Sequence, residues 1–496
     1  MKYLFAKIIS LFKKVSDVNF IFFFTLITYI TLLIVNPGNK IIATLTLPVF
    51  LIYYFKLKNF KFSLLLTYFF YSVIFTGKTY PIQIIPSGVF PLEIFPYGFI
   101  SKLVVTPFHI ISFVMFFVIL RELFLNKKIF NEFRFNKIDF LVLLFYIWTY
   151  LSNLFVSIRP EISLAQSVLS THYLVLYFFI RIIDKTKADF LKIVTAMFCA
   201  IVIFESFLSF QQFLSKAPLF KNIEYQVNIE YFGKAVDEIE FTFRPLGTFV
   251  HANSAGIWLA GIFILLLSVF YKQPNLMIGG AILLGTATVI MTLSRSAWIG
   301  MATGTFFVLF ILEKIKNKHL PQFIIQKLLI AFPILLIMSI FFVVPRIEKS
   351  LYSFGIDNGG GYFRRVQMID AITIIKQNPL LGVGTEMGIY EGLALNLNTV
   401  AASIPLAVHN WYLNIALENG LPAIFMFLGA LILSLRSFFV NIKRQRFSTM
   451  DSFFMLGLIG GTISSVIAGY FQPDIGGNFI FISLAILNGN AITKLT

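Results

Sequence analysis

Long apolar runs separated by short polar segments are the dominant pattern of the chain. A helix that crosses a bilayer needs about 20 mostly apolar residues, and its backbone polar groups must be paired within the helix. Runs close to that length occupy 18–35, 41–55, 62–76, 103–120, 138–156, 162–182, 190–214, 254–271, 275–293, 296–312, 323–344, 413–435, 452–470 and 478–494. The second and third are short enough to be re-entrant. The pattern predicts an all-α polytopic integral membrane protein with about 14 transmembrane helices (12–14).

The composition agrees with this prediction. Hydrophobic residues make up 58% of the chain and charged residues 13%, whereas soluble domains carry roughly 25% charged residues. A soluble protein of this composition could not cover its own surface with polar groups. The chain has one cysteine, which excludes a disulfide within the chain.

The basic residues predict the orientation of the chain in the membrane. The net charge is +17, and alternating the predicted spans from a cytoplasmic N-terminus places most lysines and arginines inside, as membrane proteins prefer. We therefore expect both ends in the cytoplasm. Residues 1–15 alternate lysines with large apolar residues and favour an interfacial helix over a signal peptide. The charge is thus explained without a nucleic-acid partner.

Three long segments are predicted on the outer side: 77–102, 215–253 and 345–409. The first is rich in proline and is expected to form an irregular loop. The third is the largest soluble piece, and apolar residues at helical spacing predict an amphipathic helix on the outer surface over 362–377. Its predicted apolar positions are Val366, Ile369, Ile372 and Ile375, and Asn378-Pro379 is expected to end it.

On the predicted outer side, arginines are unusually frequent relative to lysine. Orientation alone does not require them there, and a planar, permanently charged guanidinium suits phosphate or carboxylate groups. Arg295, in TLSRSAW, lies in a turn too short to carry its charge far from the membrane, and Arg244 opens RPLGTFVHANSAG just before a span. Snorkelling at the interface, or pairing with loop acids, is the alternative explanation. The set comprises Arg244, Arg295, Arg346, Arg364 and Arg365.

A few further polar residues could carry chemistry. His409, in HNWYLNIALENG at the outer start of a span, could accept a proton from a hydroxyl or simply donate a hydrogen bond. Glu205 and Glu418 lie inside apolar runs, where acids are functional candidates by default. No Walker A loop, GxGxxG, CxxC or HExxH motif occurs, and the predicted outer segments contain no Asp-x-Asp pair. We therefore expect no metal and no cofactor.

Taken together, four motifs resemble those of the O-antigen ligase and O-antigen polymerase (Wzy-type, Wzy_C domain) superfamily, which are bacterial membrane glycosyltransferases of GT-C-like architecture. In family order these are RPLGTFVHANSAG at 244–256, TLSRSAWIG at 292–300, QNPLLGVG at 377–384 and HNWYLNIALENG at 409–420. The resemblance covers roughly 240–435. It implies N-terminal transmembrane helices over 1–240, a catalytic region over 241–435 that includes the outer loop 345–409, and C-terminal transmembrane helices over 436–496.

The resemblance also carries functional residues onto this sequence. The family arginine ahead of the NPLLGVG segment falls on Arg364, with Arg365 the adjacent possibility. The family histidine falls on His409, the arginine of the serine–arginine motif on Arg295, and the arginine before the glycine–threonine–phenylalanine turn on Arg244. The chain departs from the family in having Met368 and Ile369 near the usual aromatic position, and Ala252 where a proline is usual.

The resemblance implies the following reaction. A glycan moves from an undecaprenyl-diphosphate carrier to an acceptor hydroxyl on lipid A-core or on another lipid-linked glycan, with inversion and without a metal. Arg244, Arg295, Arg364 and Arg365 would bind the diphosphate, His409 would be the general base, and His251, Asn253 and Asn410 would lie near the acceptor.

The expected location is the bacterial inner (cytoplasmic) membrane, with the active site on the periplasmic face. Ligase and polymerase activities both remain open, and so does an oligosaccharyltransferase that acts on protein. From other classes, a transporter or flippase of lipid-linked sugars and a non-catalytic assembly protein also remain. A transporter would be expected to show internal repeats and charges spread through the depth of the bilayer.

Overall fold

The structure is a computed structural model, and it describes residues 15–35, 44–73, 80–83, 102–126, 133, 135–183, 190–216, 244–249, 251–316, 360–388, 408–444, 450–472 and 477–488. Four predictions fall wholly or largely outside these ranges. They are the N-terminal interfacial helix, the span at 323–344, and most of the outer segments 77–102 and 215–253.

Helices account for most of the described residues. They are α1 (Asp17–Val35), α2 (Thr46–Leu57), α3 (Phe60–Val73), α4 (Pro107–Leu125), α5 (Lys137–Phe155), α6 (Pro160–Ser170), α7 (His172–Ile182), α8 (Phe190–Ser215), α9 (Ala252–Lys272), α10 (Leu276–Met291), α11 (Arg295–Lys316), α12 (Gly360–Gln377), α13 (Trp411–Arg444), α14 (Met450–Gly469) and α15 (Gly477–Leu487).

The helices match the predicted spans closely. Each predicted run except 323–344 contains a described helix. Within the described residues, nine segments are long and apolar enough to cross a membrane, with α6 and α7 counted as one, and α2 and α10 are shorter apolar helices. The prediction of a polytopic membrane protein is thus confirmed. The total number of spans, the GT-C-like arrangement and the orientation stay predictions.

One short sheet departs from the all-α prediction. Strands β1 (Tyr80–Gln83) and β2 (Lys102–Val105) pair antiparallel, with Tyr80 opposite Val105. The predicted irregular loop 77–102 therefore contains paired backbone at its described ends. The run 103–120 begins as a strand, and its helix α4 starts only at Pro107, after Thr106 as N-cap. Valines at 104 and 105 suit either a strand or a span, so hydropathy did not separate the two.

Helices α8, α9 and α14 form the interior of the bundle. Helices α9, α11 and α14 cross with their backbones in close approach, because glycines occupy the contact points. A β-carbon on Gly300 would lie 2.6 Å from the carbonyl oxygen of Ser464, and one on Gly457 would lie 2.7 Å from the Cα atom of Leu265. This packing fixes the position of α11 in the bundle, and the first residue of α11 is Arg295.

A buried ion pair joins α5, α7 and the segment after α15. The side chains of Arg181 and Asp139 are almost fully buried, and the guanidinium donates to both carboxylate oxygens at 3.0 and 2.9 Å. Arg181 also donates to the carbonyl of Asn488, and the Tyr177 hydroxyl donates to Asp139. Every charge is paired and hydrogen-bonded, which is the condition for tolerating buried ions. The cluster lies at the start of α5, whereas the candidate site lies beyond its other end.

Candidate active site

The first part of the site is the turn at 244–249, which is held by two polar residues of α8. The Glu205 carboxylate accepts hydrogen bonds from the Thr248 amide at 2.9 Å and from the Thr248 hydroxyl at 2.6 Å. Seven residues along α8, the Gln212 side chain accepts from the amide of Gly247 at 2.9 Å and donates to its carbonyl at 2.8 Å. Glu205, a functional candidate from its place in an apolar run, therefore anchors the turn that carries Arg244.

Arg244 is clamped between two elements. Its Nε atom donates to the carbonyl oxygen of Thr292, which directly follows α10, at 2.9 Å. Its Nη2 atom donates to Oδ1 of Asn253 in α9. The amide nitrogen of Asn253 donates in turn to Gln472 at 3.0 Å. The guanidinium plane is thus fixed by the protein. Asn253, a candidate from its motif, is buried and contacts this arginine.

Two other candidates cap helices. The His251 ring accepts a hydrogen bond from the Asn253 amide at 2.9 Å and is the N-cap of α9. The Asn410 side chain accepts from the amide of Leu413 at 3.0 Å, at the start of α13. Both bonds satisfy amides that a helix leaves unpaired in its first turn. Contact of these residues with an acceptor stays a prediction.

Arg295 is the first residue of α11 and is half-buried. The turn before it is tight, and Leu293 adopts a left-handed φ of 53°. A cation at this end of a helix opposes the helix dipole, which costs about 0.3–1 kcal/mol at exposed positions. Helix stability therefore does not explain the arginine. The amides at the start of α11 and the guanidinium both favour an anion at this place.

Arg364 brings the third guanidinium to the same region. It is half-buried near the start of α12, and burial, together with the positive charges of Arg295 and Arg244, lowers the pKa of its guanidinium to about 10. Arg364 therefore remains charged at neutral pH. Arg365, the adjacent possibility in the sequence, is exposed. The fold thus gathers arginines from three separate segments.

Two of the three clustered arginines form no ion pair in the part of the chain that the structure describes. Neither Arg295 nor Arg364 forms an ion pair there, and the ion pairs present join other residues. Half-buried like charges raise each other's free energy. An anionic ligand with two or more charges would relieve this repulsion and pair with the guanidinium forks.

The buried face of α12 differs from the predicted apolar stripe. The helix exists and ends at Gln377 as expected, but Ile369 and Ile372 are 56% and 42% exposed. The residues packed inward are Gln367, Ala371, Ile374 and Ile375, so of the predicted apolar positions Ile375 is buried as expected. Arg364, one turn before Gln367, is half-buried. The inward face of α12 therefore carries polar side chains as well as apolar ones. Apolar periodicity alone could not predict a face that carries such groups.

His409 lies in the segment before α13 and meets α12. Its Nδ1 atom is 3.1 Å from Oε1 of Gln367. Gln367 is three residues after Arg364, so both lie on the same face of α12. The histidine and the arginine cluster are therefore neighbours. Sequence reasoning missed Gln367, Gln212 and Gln472 because these three residues lie outside the four motifs.

The NPLLGVG segment closes a break in α13. The helix breaks at Gly420, with φ 79° and ψ 169°, two residues before a proline. The amides of Val383 and Gly384 donate to the carbonyls of Leu417 and Glu418 at 2.9 and 2.8 Å. Carbonyl groups that the break removes from the helix are thereby satisfied. The third motif and the end of the fourth thus form one structural unit.

Helix α5 supports the same break from the other side. Trp148 donates to the carbonyl of Asn419 at 3.1 Å, and Ser152 donates to that of Glu418 at 3.0 Å. The loop 378–384 follows directly from α12, so this docking fixes α12 against α13. It therefore also fixes Gln367 relative to His409.

A pair of acids lies beside the break. The Glu418 carboxylate accepts from the side chain of Asn414 at 3.1 Å and from the backbone amide of Glu386. Glu386 has a left-handed φ of 65° and is half-buried, and burial raises the pKa of its carboxyl group. In the described residues no cation pairs with either acid. The arrangement therefore favours a protonated Glu386.

Glu386→Gln is expected to make the protein less sensitive to alkaline pH. A carboxyl group whose pKa is raised on folding binds its proton more tightly in the folded state. Its contribution is therefore greatest below the ordinary pKa and is lost as pH rises through the folded-state pKa. From pH 5 to pH 8, the melting temperature in detergent should fall more for the wild type than for the variant.

The control for this prediction is Glu161→Gln. Glu161 is exposed and contacts Arg159 at 3.6 Å. Its substitution should leave the pH dependence unchanged. Equal pH dependence in wild type and Glu386→Gln would contradict the burial argument.

Comparison with known proteins bears on the region just described. Among curated proteins, no sequence matches the chain. Residues 280–428 match the family described as O-Antigen ligase, Wzy_C. The matched region begins within α10 and ends within α13, so it includes Arg295, Arg364 and His409, whereas Arg244 lies before it. The family resemblance is therefore confirmed over residues 280–428, which contain three of the four motifs, and this region identifies the chain as similar to the O-antigen ligase family.

Proposed function

We propose that this protein transfers a glycan from undecaprenyl diphosphate to an acceptor hydroxyl on the outer face of the bacterial inner membrane. The family match supports a glycosyltransferase of the O-antigen ligase or polymerase type in surface polysaccharide assembly. The observation that carries the finer proposal is the cluster of Arg244, Arg295 and Arg364, which lacks counter-ions at two of its members and adjoins His409.

The chemistry follows from the charges. The acceptor oxygen attacks the anomeric carbon as the bond from that carbon to the phosphate oxygen breaks, and the electron pair leaves with the diphosphate. The guanidinium groups stabilise the charge that develops there. His409 takes the proton of the acceptor hydroxyl. Attack opposite the leaving group inverts the anomeric centre, and the guanidinium charges serve in place of a divalent cation.

The acceptor decides the subclass. Transfer to lipid A-core would make the protein a ligase, transfer to another lipid-linked repeat a polymerase, and transfer to a protein side chain an oligosaccharyltransferase. Purified protein in liposomes with each acceptor in turn would separate these three. A transporter of the lipid-linked sugar would move the donor across the bilayer without releasing undecaprenyl diphosphate, so release of that product tests the enzyme class.

Arg364→Ala is expected to lower glycan transfer by about a hundred- to a thousandfold, as loss of a group that stabilises developing charge does. Arg365→Ala should keep most of the activity, since Arg365 is exposed whereas the pKa of Arg364 is lowered by the charges of the other two arginines. Transfer of radiolabelled lipid-linked glycan in proteoliposomes measures both variants.

Arg365→Ala is the matched control for Arg364→Ala, because each variant removes one positive charge and the two positions are adjacent in α12. Arg364→Lys should recover part of the activity, since it restores the charge without the planar fork. Equal loss in the Arg364 and Arg365 variants would contradict the placement of Arg364 in the site.

A further inference from the structure

The neutral amide of Gln367 is the group that α12 presents to the ring of His409. Gln367 is buried, with 4% of its surface exposed, and its Oε1 atom lies 3.1 Å from Nδ1 of His409. An amide oxygen has only lone pairs to offer, so the ring nitrogen that it contacts must carry the hydrogen. A neutral imidazole with its hydrogen on Nδ1 has its lone pair on Nε2.

We propose that Gln367 is a positioning residue that holds His409 in the Nδ1–H tautomer, so that Nε2 accepts the proton of the acceptor hydroxyl. The inference rests on the proposed function and adds to it the atom that acts as the base. It also gives α12 a second task, since one face of this helix supplies both an arginine of the cluster and the partner of the histidine.

The surrounding charge explains why the partner is an amide. Position 367 lies one turn from Arg364, whose guanidinium already feels the charges of Arg295 and Arg244. A carboxylate there would neutralise part of the arginine cluster and so weaken its attraction for a diphosphate. It would also favour the protonated imidazole, which cannot act as a base. A neutral amide fixes the tautomer without neutralising the arginines and without favouring the protonated imidazole.

The tautomer can be measured without any transfer assay. Solid-state NMR of protein labelled with ¹⁵N-histidine, in lipid bilayers at a pH where the ring is neutral, distinguishes protonated from unprotonated ring nitrogens. The chain has five histidines, and the spectrum of His409→Gln identifies the signal of interest. The wild type should show the Nδ1–H form, and Gln367→Met should show a mixture. An Nε2–H form in the wild type would overturn the inference.

Kinetics give the second test. Gln367→Met keeps the bulk but removes the acceptor, and should lower kcat by roughly tenfold or more while KM for the lipid-linked donor stays the same. Gln367→Glu restores an acceptor with a negative charge, and should move the acid limb of the pH–rate profile upward by about one unit. A purely structural role would leave this limb in place, and that result would overturn the inference.

The matched controls are Gln377→Met and Gln377→Glu. Gln377 is the last residue of the same helix and is exposed, so these variants make the same chemical changes away from the histidine. Neither should alter kcat or the pH–rate profile. An equal effect at both positions would assign the change to α12 as a whole and would overturn the role of Gln367.

The two measurements separate failure of this inference from failure of the proposed function. If the wild type shows the Nε2–H form while His409→Ala abolishes transfer, the function stands and the role of Gln367 is wrong. If the Nδ1–H form depends on Gln367 while His409→Ala transfers glycan at the wild-type rate, the hydrogen bond is real but His409 is not the base, and both the positioning role and the proposed mechanism fail.

Discussion

Arg295→Ala is expected to reduce glycan transfer by about a hundred- to a thousandfold, with little change in membrane insertion. Arg295 begins α11 at a place where a cation does not favour the helix, and it forms no ion pair within the described residues. Removing it therefore costs the fold little and deprives the departing diphosphate of one positive charge. Transfer rates and the yield of folded protein after detergent extraction measure the two effects separately.

The comparison for this variant is Arg159→Ala. Arg159 also stands at the start of a helix, α6, but it pairs with Glu161 and lies outside the cluster, so its loss should leave transfer intact. His409→Ala should lower transfer by about 10²–10⁴-fold, the usual contribution of a general base. Full activity in both Arg295→Ala and His409→Ala would refute the proposed mechanism.

Gly420→Ala is expected to disable the protein, although residue 420 contacts none of the groups proposed to react. The residue has φ 79° and ψ 169°, a backbone region that is used almost only by glycine and that costs a residue with a β-carbon roughly 1–3 kcal/mol. The added β-carbon would also overlap the backbone carbonyl of Leu380. The loop 378–384 would have to leave the break in α13, and α12 would lose its fixed position. Thermal unfolding and glycan transfer should both be strongly impaired.

Gly280→Ala is the matched control for the effect at Gly420. Gly280 lies in α10, and a β-carbon there would meet no atom within 4 Å. Because alanine favours a helix over glycine by about 1 kcal/mol, this variant should be as stable as the wild type or slightly more so. A Gly420→Ala protein with normal stability and normal transfer would show that the docking at the break does not position the site.

The helices of this protein could be predicted from the sequence because the bilayer imposes one requirement on every span. Apolar length and backbone pairing decide where a helix forms, and the runs at 190–214 and 254–271 became α8 and α9 almost residue for residue. The antiparallel pairing of β1 with β2 could not be predicted in this way. Its residues lie beside a span, and apolar β-branched side chains fit both environments.

The sequence suggests which residue types could form a site, but not how they are arranged in space. Arginines on the predicted outer side and a histidine before a span suggest phosphate binding and proton transfer. That Arg244, Arg295 and Arg364 meet depends on how α9, α11 and α14 pack and on where α12 docks, and neither follows from local pattern. Glu205 shows the reverse case, since its place in an apolar run predicted chemistry whereas its hydrogen bonds hold a turn.

The docking of loop 378–384 on the broken helix α13 also has a consequence for biogenesis. Synthesis delivers α12 and this loop to the membrane before α13, so the carbonyl groups that receive the loop are made after it. Until α13 has inserted and bent at Gly420, Arg364 and His409 belong to separate pieces of chain. A nascent protein halted before that point would contain three of the four motifs and still lack an assembled site.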